Sequence, residues 1–216
     1  LVKISYGITV HNEAEELHKL LEVLNKNIDK EDEIVVCVDG DDEKVEAVLG
    51  ESLDSWQNYI VYKRKLNGNF AEHKNSVIEK ASGDYVFHID ADEYPNEILI
   101  QQLKEILEIN EVDLIWIPRV NTIEGMKQEH VQKWGWRITG KGWVNYPDYQ
   151  ARVFRRDESI RWTRPLHEYI KGCKTYAHLP PHEELSLYHP KTIQKQEKQN
   201  LFYNENFSKE MNVRKL

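Results

Sequence analysis

Cysteine is scarce. Cys37 and Cys173 are the two in 216 residues, too few for a disulfide framework. Cys37 falls inside an apolar run and reads as a core residue, which suits a reducing, cytoplasmic setting. Positive charge is also short. Twenty-nine Lys and Arg against 37 Asp and Glu leave a net charge of −8, and non-specific nucleic-acid binding rests on a basic surface. No nucleic-acid partner is expected. No apolar stretch approaches the ~20 residues of a membrane helix, so no transmembrane segment is expected, and no signal peptide opens the chain. No internal repeat or low-complexity linker is visible, so 1–216 reads as one domain. The chain opens on Leu1 rather than Met, which leaves open that it is a piece of a longer protein.

What is present in the first half is alternation. Residues 2–10 read as a strand ending in His11-Asn12-Glu13. Asn12 is a candidate helix cap, with Glu15 at the third position behind it. Leu17, Leu20, Leu21 and Leu24 then follow the i, i+3, i+4, i+7 spacing of an amphipathic helix. Residues 33–38, EIVVCV, are nearly all apolar, as expected of a parallel strand buried on both faces. Asp39-Gly40-Asp41-Asp42 follows, then a helix over 43–49. Further strands are predicted over 58–62, 84–89 and 113–117, with helices over 70–81 and from Pro95 onward. This order implies an α/β fold, an open parallel sheet with helices on both faces. In such sheets ligands bind beyond the carboxyl ends of the strands. After Arg119 the periodicity weakens and Trp, Gly and Arg become dense. Short strands at 150–155 and 166–171 suggest a small antiparallel annex over those strand ends, and 192–209 reads as a polar helix.

The sharpest chemical signal is Phe87-His88-Ile89-Asp90-Ala91-Asp92-Glu93. An apolar strand breaks into three carboxylates within four residues. Like charges so close repel unless something neutralises them, and a divalent metal bridged to a phosphate-bearing ligand does so.

The ordered set Ile8-Thr9-Val10-His11-Asn12-Glu13, Val38-Asp39-Gly40, His73-Lys74-Asn75, Ala81-Ser82-Gly83-Asp84-Tyr85, Asp90-Ala91-Asp92-Glu93, Tyr146 through Arg156, Leu166-His167-Glu168 and His189 resembles the family 2 glycosyltransferases of the GT-A fold. The subgroup it resembles is that of the lipopolysaccharide-core glucosyltransferases. One departure is the second motif: the family's D-x-G-S/T-x-D run is here Asp39-Gly40-Asp41-Asp42, which leaves the nucleotide base less defined.

The resemblance implies an inverting, metal-dependent glycosyltransferase of the hexosyltransferase type, moving a hexose or deoxyhexose. It implies a nucleotide-diphospho-sugar donor, foremost a UDP-sugar, and Mn²⁺ or Mg²⁺ as cofactor. Residues 1–118 would bind the donor, and 119–216 would bind the acceptor and carry catalysis. Asp92 would contact the metal, joined by Asp90 and by His189 as a late third ligand. Thr9, Glu13, Asp39, Lys74, Asp90 and Ala91 would line the donor site, with Arg152 pointing toward the diphosphate. Glu168 would be the base that activates the acceptor hydroxyl, with Asp148 as runner-up. The acceptor would be a glycan or a lipid-linked glycan, met by a cytoplasmic protein at the membrane surface.

Blander readings stand beside these. Asp90 could cap a helix, Asp39 could be a turn residue, Lys74 a solvated lysine, and Glu168 a salt-bridge partner. Trp134, Trp136, Trp143, Tyr146 and Tyr149 are either an acceptor platform or anchors of a long loop. Cys173, His178, His182 and His189 could be read as a zinc site, but their spacing matches no standard finger. A sugar-nucleotide nucleotidyltransferase shares the layout, yet it would want a glycine-rich, basic loop after the first strand, where this chain has His11-Asn12-Glu13. A phosphatase with an aspartyl nucleophile would carry Thr or Val where Tyr94 stands. A non-catalytic nucleotide-sugar-binding domain is the third alternative.

Overall fold

The computed structural model describes residues 2–54 and 56–208. In chain order the elements are β1 (Ile4–Val10), α1 (Ala14–Asn27), β2 (Glu33–Val38), α2 (Glu43–Leu53), β3 (Tyr59–Lys63), α3 (Phe70–Lys80), β4 (Tyr85–Asp90), β5 (Tyr94–Pro95), α4 (Glu97–Asn110), β6 (Leu114–Ile117), β7 (Arg119–Glu124), α5 (Gln128–Trp134), β8 (Gln150–Arg155), β9 (Arg161–Thr163), β10 (Tyr169–Lys171), β11 (Tyr176–His178), β12 (Leu187–Thr192) and α6 (Ile193–Asn206). A short 3₁₀ turn, Glu183–Leu185, precedes β12.

Seven strands form the central sheet in the order β11-β6-β8-β4-β1-β2-β3. β3, β2, β1 and β4 run parallel. Burial follows the sequence pattern. Every residue of β2 is buried, whereas the edge strand β3 has no buried residue. The α1 stripe Leu17, Leu20, Leu21 and Leu24 packs into the same core as Ile4, Ile8, Phe87 and Ile89. Gly7 lets α3 come close on the other face: a Cβ there would lie 2.5 Å from Val77 Cγ1, so a side chain at this position would push the helix off the sheet.

The fifth predicted strand is not the next parallel neighbour. β8 inserts between β4 and β6 and runs antiparallel to both. Residues 150–155 therefore belong to the main sheet rather than to the annex. Short and flanked by arginines, this strand looks peripheral in sequence; its place is set by pairing with β4 and β6, which end 60 and 33 residues before it begins, and local pattern does not report such pairing. The annex comprises the hairpin β9–β10 and a three-stranded sheet, β5-β12-β7.

Helix starts also differ in detail. Glu13, not Asn12, is the N-cap of α1, and its carboxylate accepts from the His11 and Asn12 amides at 2.9 and 3.1 Å. These amides lie ahead of the helix, so the side chain reaches back instead of capping the first turn. Pro95 lies in β5, and Asn96 caps α4 through the Ile98 amide. Asp42 caps α2, which runs on to Leu53. Thr192 caps α6; the expected end at Lys209 lies outside the described residues.

At the amino end of the sheet Glu33 is buried. It accepts from Ser5 Oγ (2.5 Å), the Ser82 amide and Ser82 Oγ (2.7 Å). Burial works to raise its pKa, but these donors and Lys3 hold it below the usual carboxylate value. A depressed folded pKa gives stability that is present above the unfolded value and lost as pH falls through the folded one. Glu33→Gln is expected to cost about 2–3 kcal/mol at neutral pH and to flatten the acid limb below about pH 4.5. Denaturant midpoints from pH 7 to 3 check this; an unchanged acid limb would remove Glu33 from the account.

Candidate active site

The carboxyl ends of β1 and β4 lie side by side, with Thr9 paired to Asp90 in register. Thr9 Oγ1 sits 3.4 Å from Asp90 Oδ1, and the Ala91 amide donates to the Thr9 carbonyl at 3.1 Å. The other Asp90 oxygen receives Arg152 Nη2 at 2.6 Å. Arg152 reaches it because β8 is antiparallel: Phe87 pairs with Val153, so the start of β8 lies beside the end of β4. The inserted strand thus carries a second-half residue into the Asp-x-Asp cluster.

Lys74 enters from α3. Its buried ammonium lies 3.0 Å from Asp90 Oδ1 and 2.7 Å from Glu168 Oε1, over the Trp162 ring. Glu168 stands in the β9–β10 connection, which Asn75 ties to α3 by two bonds to the Trp162 backbone, both 2.9 Å. Burial works to raise the Glu168 pKa, but the Lys74 ammonium holds it below the usual range. Asp90 is pulled down in the same way by Arg152 and Lys74 against its burial. Behind it His88 is wholly buried edge-on to Trp162; burial pushes its pKa down to about 4, so the ring is neutral.

Asp92 faces the opposite way. Its Oδ2 lies 3.5 Å from His189 Nε2 and 3.4 Å from Lys195 Nζ. Burial opposes ionisation, but His189, Lys191 and Lys195 hold the carboxyl far below its ordinary value. β12 makes this meeting, because it pairs antiparallel with β5, two residues past Asp92, and parallel with β7. Asp90, Asp92 and His189 therefore share one strand-end edge without forming a single cage: Asp90 turns toward Lys74 and Arg152, and Asp92 toward His189. Among the described residues no three His, Cys, Asp or Glu side chains converge to hold a metal ion. Cys173, His178, His182 and His189 do not gather either; His178 stacks on Trp116 at 5.6 Å.

Asp148 Oδ2 accepts from Arg119 Nε and Nη2 (2.9 and 2.7 Å) and from Asn121 Nδ2 (2.8 Å). Asp39 sits at the end of β2, one strand beyond β1, where its Oδ1 accepts the Leu66 amide at 3.0 Å. Glu13 stays bonded to the His11 and Asn12 amides. Trp134 and Trp136 pack together at 4.7 Å and Trp143 with Tyr146 at 4.8 Å, all half-buried. Tyr149 OH donates to the Leu179 carbonyl.

Several neighbours carry little advance signal. Glu93 is buried with Arg152 and Arg119 on one oxygen, at 2.7 and 2.6 Å; as the third acid of the run it was visible but had no assigned role. Arg119 reads as one more solvated arginine until Glu93 and Asp148 are found around it. On α6, Lys195, Gln199 and Tyr203 recur every fourth residue over the cluster. Gln199 bridges the Lys191 ammonium (2.9 Å) and the Tyr203 hydroxyl (3.0 Å), and burial pushes the Tyr203 phenol up to about 12. That spacing was legible, but not which face of the helix would meet the site.

Residues 5–178 match the glycosyl transferase family 2 pattern, and the chain belongs to that family. A poly(ribitol-phosphate) beta-glucosyltransferase of Bacillus spizizenii is 31% identical over 98 residues, 43% of this chain and 15% of that protein. The minor teichoic acid biosynthesis protein GgaB of Bacillus subtilis is 27% identical over 111 residues, 50% of this chain and 12% of that protein. The matches thus span under a sixth of either relative. Among solved structures, S. aureus TarS 1–349 in complex with UDP-GlcNAc superposes with a TM-score of 0.61 at 16% identity, over 87% of this chain and 58% of that one. The expected α/β fold of the GT-A type, mostly parallel with small antiparallel sheets, is the fold observed.

Proposed function

We propose that this chain is the transferase unit of an inverting, metal-dependent hexosyltransferase using a UDP-sugar. The observation that carries the reading is the pairing, on one strand-end edge of a family 2 fold, of an Asp92–His189 couple with a Lys74–Glu168 couple. A carboxylate suits Mn²⁺ or Mg²⁺, and an imidazole is an acceptable second ligand for Mn²⁺. Donor atoms about 2.1 Å from an octahedral ion lie about 3 Å apart, close to the 3.5 Å between Asp92 Oδ2 and His189 Nε2. Such ions take one or two protein ligands and complete their shell with phosphate and water, so a two-residue site fits, with Asp90 reaching the ribose or the metal through water. When bound, the ion screens the charge that develops on the leaving diphosphate.

Arg152 and Lys74 add fixed positive charge beside that diphosphate. Thr9, Glu13, Asp39, Asp90 and Ala91 border the nucleoside. The acceptor hydroxyl oxygen attacks the anomeric carbon, Glu168 takes its proton, and the sugar–phosphate bond breaks with its electron pair leaving on the diphosphate. Residues 1–118 serve the donor and 119–216 the acceptor, within one domain. The acceptor is a hydroxyl of an envelope glycan or polyol-phosphate polymer, lipid-linked or free. The activities named for the two Bacillus relatives support this more directly than the resemblance to lipopolysaccharide-core enzymes. The protein works in the cytoplasm, peripherally where the acceptor is membrane-borne.

A panel of UDP-glucose, UDP-galactose, UDP-GlcNAc and GDP-mannose, each with and without Mn²⁺, tests this by nucleotide release. UDP release from a UDP-hexose, stimulated by Mn²⁺, is expected. Binding without release from any donor overturns it in favour of a non-catalytic domain. Formation of a nucleotide sugar from a nucleoside triphosphate and a sugar phosphate would favour the nucleotidyltransferase, against which the Glu13 carboxylate already sits on the β1–α1 amides.

A further inference from the structure

Asn121 and His189 are register partners on the parallel strands β7 and β12, so their side chains leave the same face of the small sheet. Asn121 Nδ2 donates to Asp148 Oδ2 at 2.8 Å and to the Val144 carbonyl at 3.3 Å. Both partners are acceptors only; the Asp148 carboxylate also receives two nitrogens of Arg119. The amide nitrogen therefore belongs on that side, and the amide oxygen faces His189. An amide oxygen cannot donate, so the 2.8 Å contact between His189 Nδ1 and Asn121 Oδ1 requires the hydrogen on Nδ1. The neutral imidazole then has a bare Nε2, and this atom faces the Asp92 carboxylate at 3.5 Å. In the neutral ring, Nε2 and Asp92 Oδ2 are two lone-pair groups turned toward each other, and what joins them is a cation, either a proton on Nε2 or a metal ion.

We infer that Asn121 is a positioning residue: it locks His189 in the Nδ1–H tautomer, and the Arg119–Asp148 pair locks Asn121, so that Nε2 is presented as a lone-pair donor beside Asp92. The inference rests on the proposed metal role of His189. It assigns to Asp148 a supporting part instead of a proton-accepting one, since its Oδ2 is spent on Arg119 and Asn121. Residues behind a ligand histidine commonly set its tautomer and ring orientation in this way. The Asn121 backbone is pinned as well, with the Val144 amide donating to its carbonyl at 2.9 Å.

The test uses histidine-¹⁵N-labelled full chain and two-bond ¹H–¹⁵N correlation at neutral pH without metal. His189 of the native chain is expected to show a protonated Nδ1 and a bare Nε2; the opposite tautomer overturns the inference with no variant needed. In Asn121→Leu, His189 is expected to shift toward the Nε2–H tautomer and Mn²⁺ affinity to fall about 10–100-fold; unchanged tautomer or unchanged affinity overturns it. Should the leucine variant fail to fold, Asn121→Ala removes the same acceptor and is read in the same way. Asn121→Asp retains an acceptor toward Nδ1 and is expected to keep the native tautomer. Mn²⁺ added to the native chain separates the two ideas. If it leaves the His189 resonances sharp while the tautomer is as stated, the metal reading fails and the tautomer assignment stands.

Discussion

Asp92→Ala is expected to abolish the Mn²⁺ dependence of UDP binding and to lower sugar transfer by about 10³-fold or more. The direction follows from the surroundings of this carboxylate. Asp92 is half-buried, its carboxylate lies 3.5 Å from His189 Nε2 and 3.4 Å from Lys195 Nζ, and the Lys191 charge also acts on it. Removing it leaves one imidazole, a ligand set too poor for a hard divalent ion. It also removes one of the two carboxylates beside Lys195, leaving Glu16 at 2.9 Å, so this ammonium can lend more of its charge to phosphate. Residual UDP binding that no longer responds to Mn²⁺ is therefore the expected signature, rather than loss of all binding. Calorimetry of UDP with and without Mn²⁺, on native and variant chains, reads both effects. If native binding is indifferent to Mn²⁺ and Asp92→Ala changes nothing, the metal assignment is wrong. In that case Lys191, Lys195 and Arg152 would carry the diphosphate charge themselves.

The contrast between Asp90 and Asp92 shows what could be read in advance. Both aspartates follow from local sequence, because an apolar strand that ends in acids places them at a sheet edge whatever the rest of the chain does. Their division of labour does not. Asp90 turns to Arg152 because an antiparallel strand enters the sheet from 60 residues away, and Asp92 turns to His189 because β12 is threaded between β5 and β7. Both are long-range pairings with weak local periodicity. β2 and β4 were legible for the opposite reason: EIVVCV and YVFHI carry their burial in their composition. Lys74 shows the limit from another side. A lysine in a helix reads as solvated by default, and only Asp90 and Glu168 together explain why this one is buried. Arg119 and Asn121 were missed because each is meaningful only through its partners, Glu93 and Asp148 for one and Asp148 and His189 for the other.

Glu168→Gln is expected to keep UDP and Mn²⁺ binding within about threefold and to lower the rate of transfer by about 10²–10⁴-fold, the usual worth of a positioned general base. Glutamine preserves the size of the side chain and can still accept from Lys74, so the hairpin that carries it should stay docked through Asn75. What it lacks is a site for the acceptor's proton. The pH dependence gives the same residue a second test. Lys74 holds the Glu168 pKa below the usual carboxylate value against the pull of burial. A base must be unprotonated to act, so activity should rise with pH through a value below about 4.5 and be flat from there to neutrality on this account. Lys74→Met removes the countercharge and leaves burial dominant, which raises the Glu168 pKa. The acid limb of kcat should then move to higher pH, with the fall in activity now seen on approaching it from neutral. Lys74 also faces Asp90, so KM for the donor is expected to rise in the same variant; the shifted limb in kcat is the part that reports on Glu168. Transfer surviving at a normal rate in Glu168→Gln would return Asp148 as the base, and would require it to work while its Oδ2 accepts from Arg119 and Asn121.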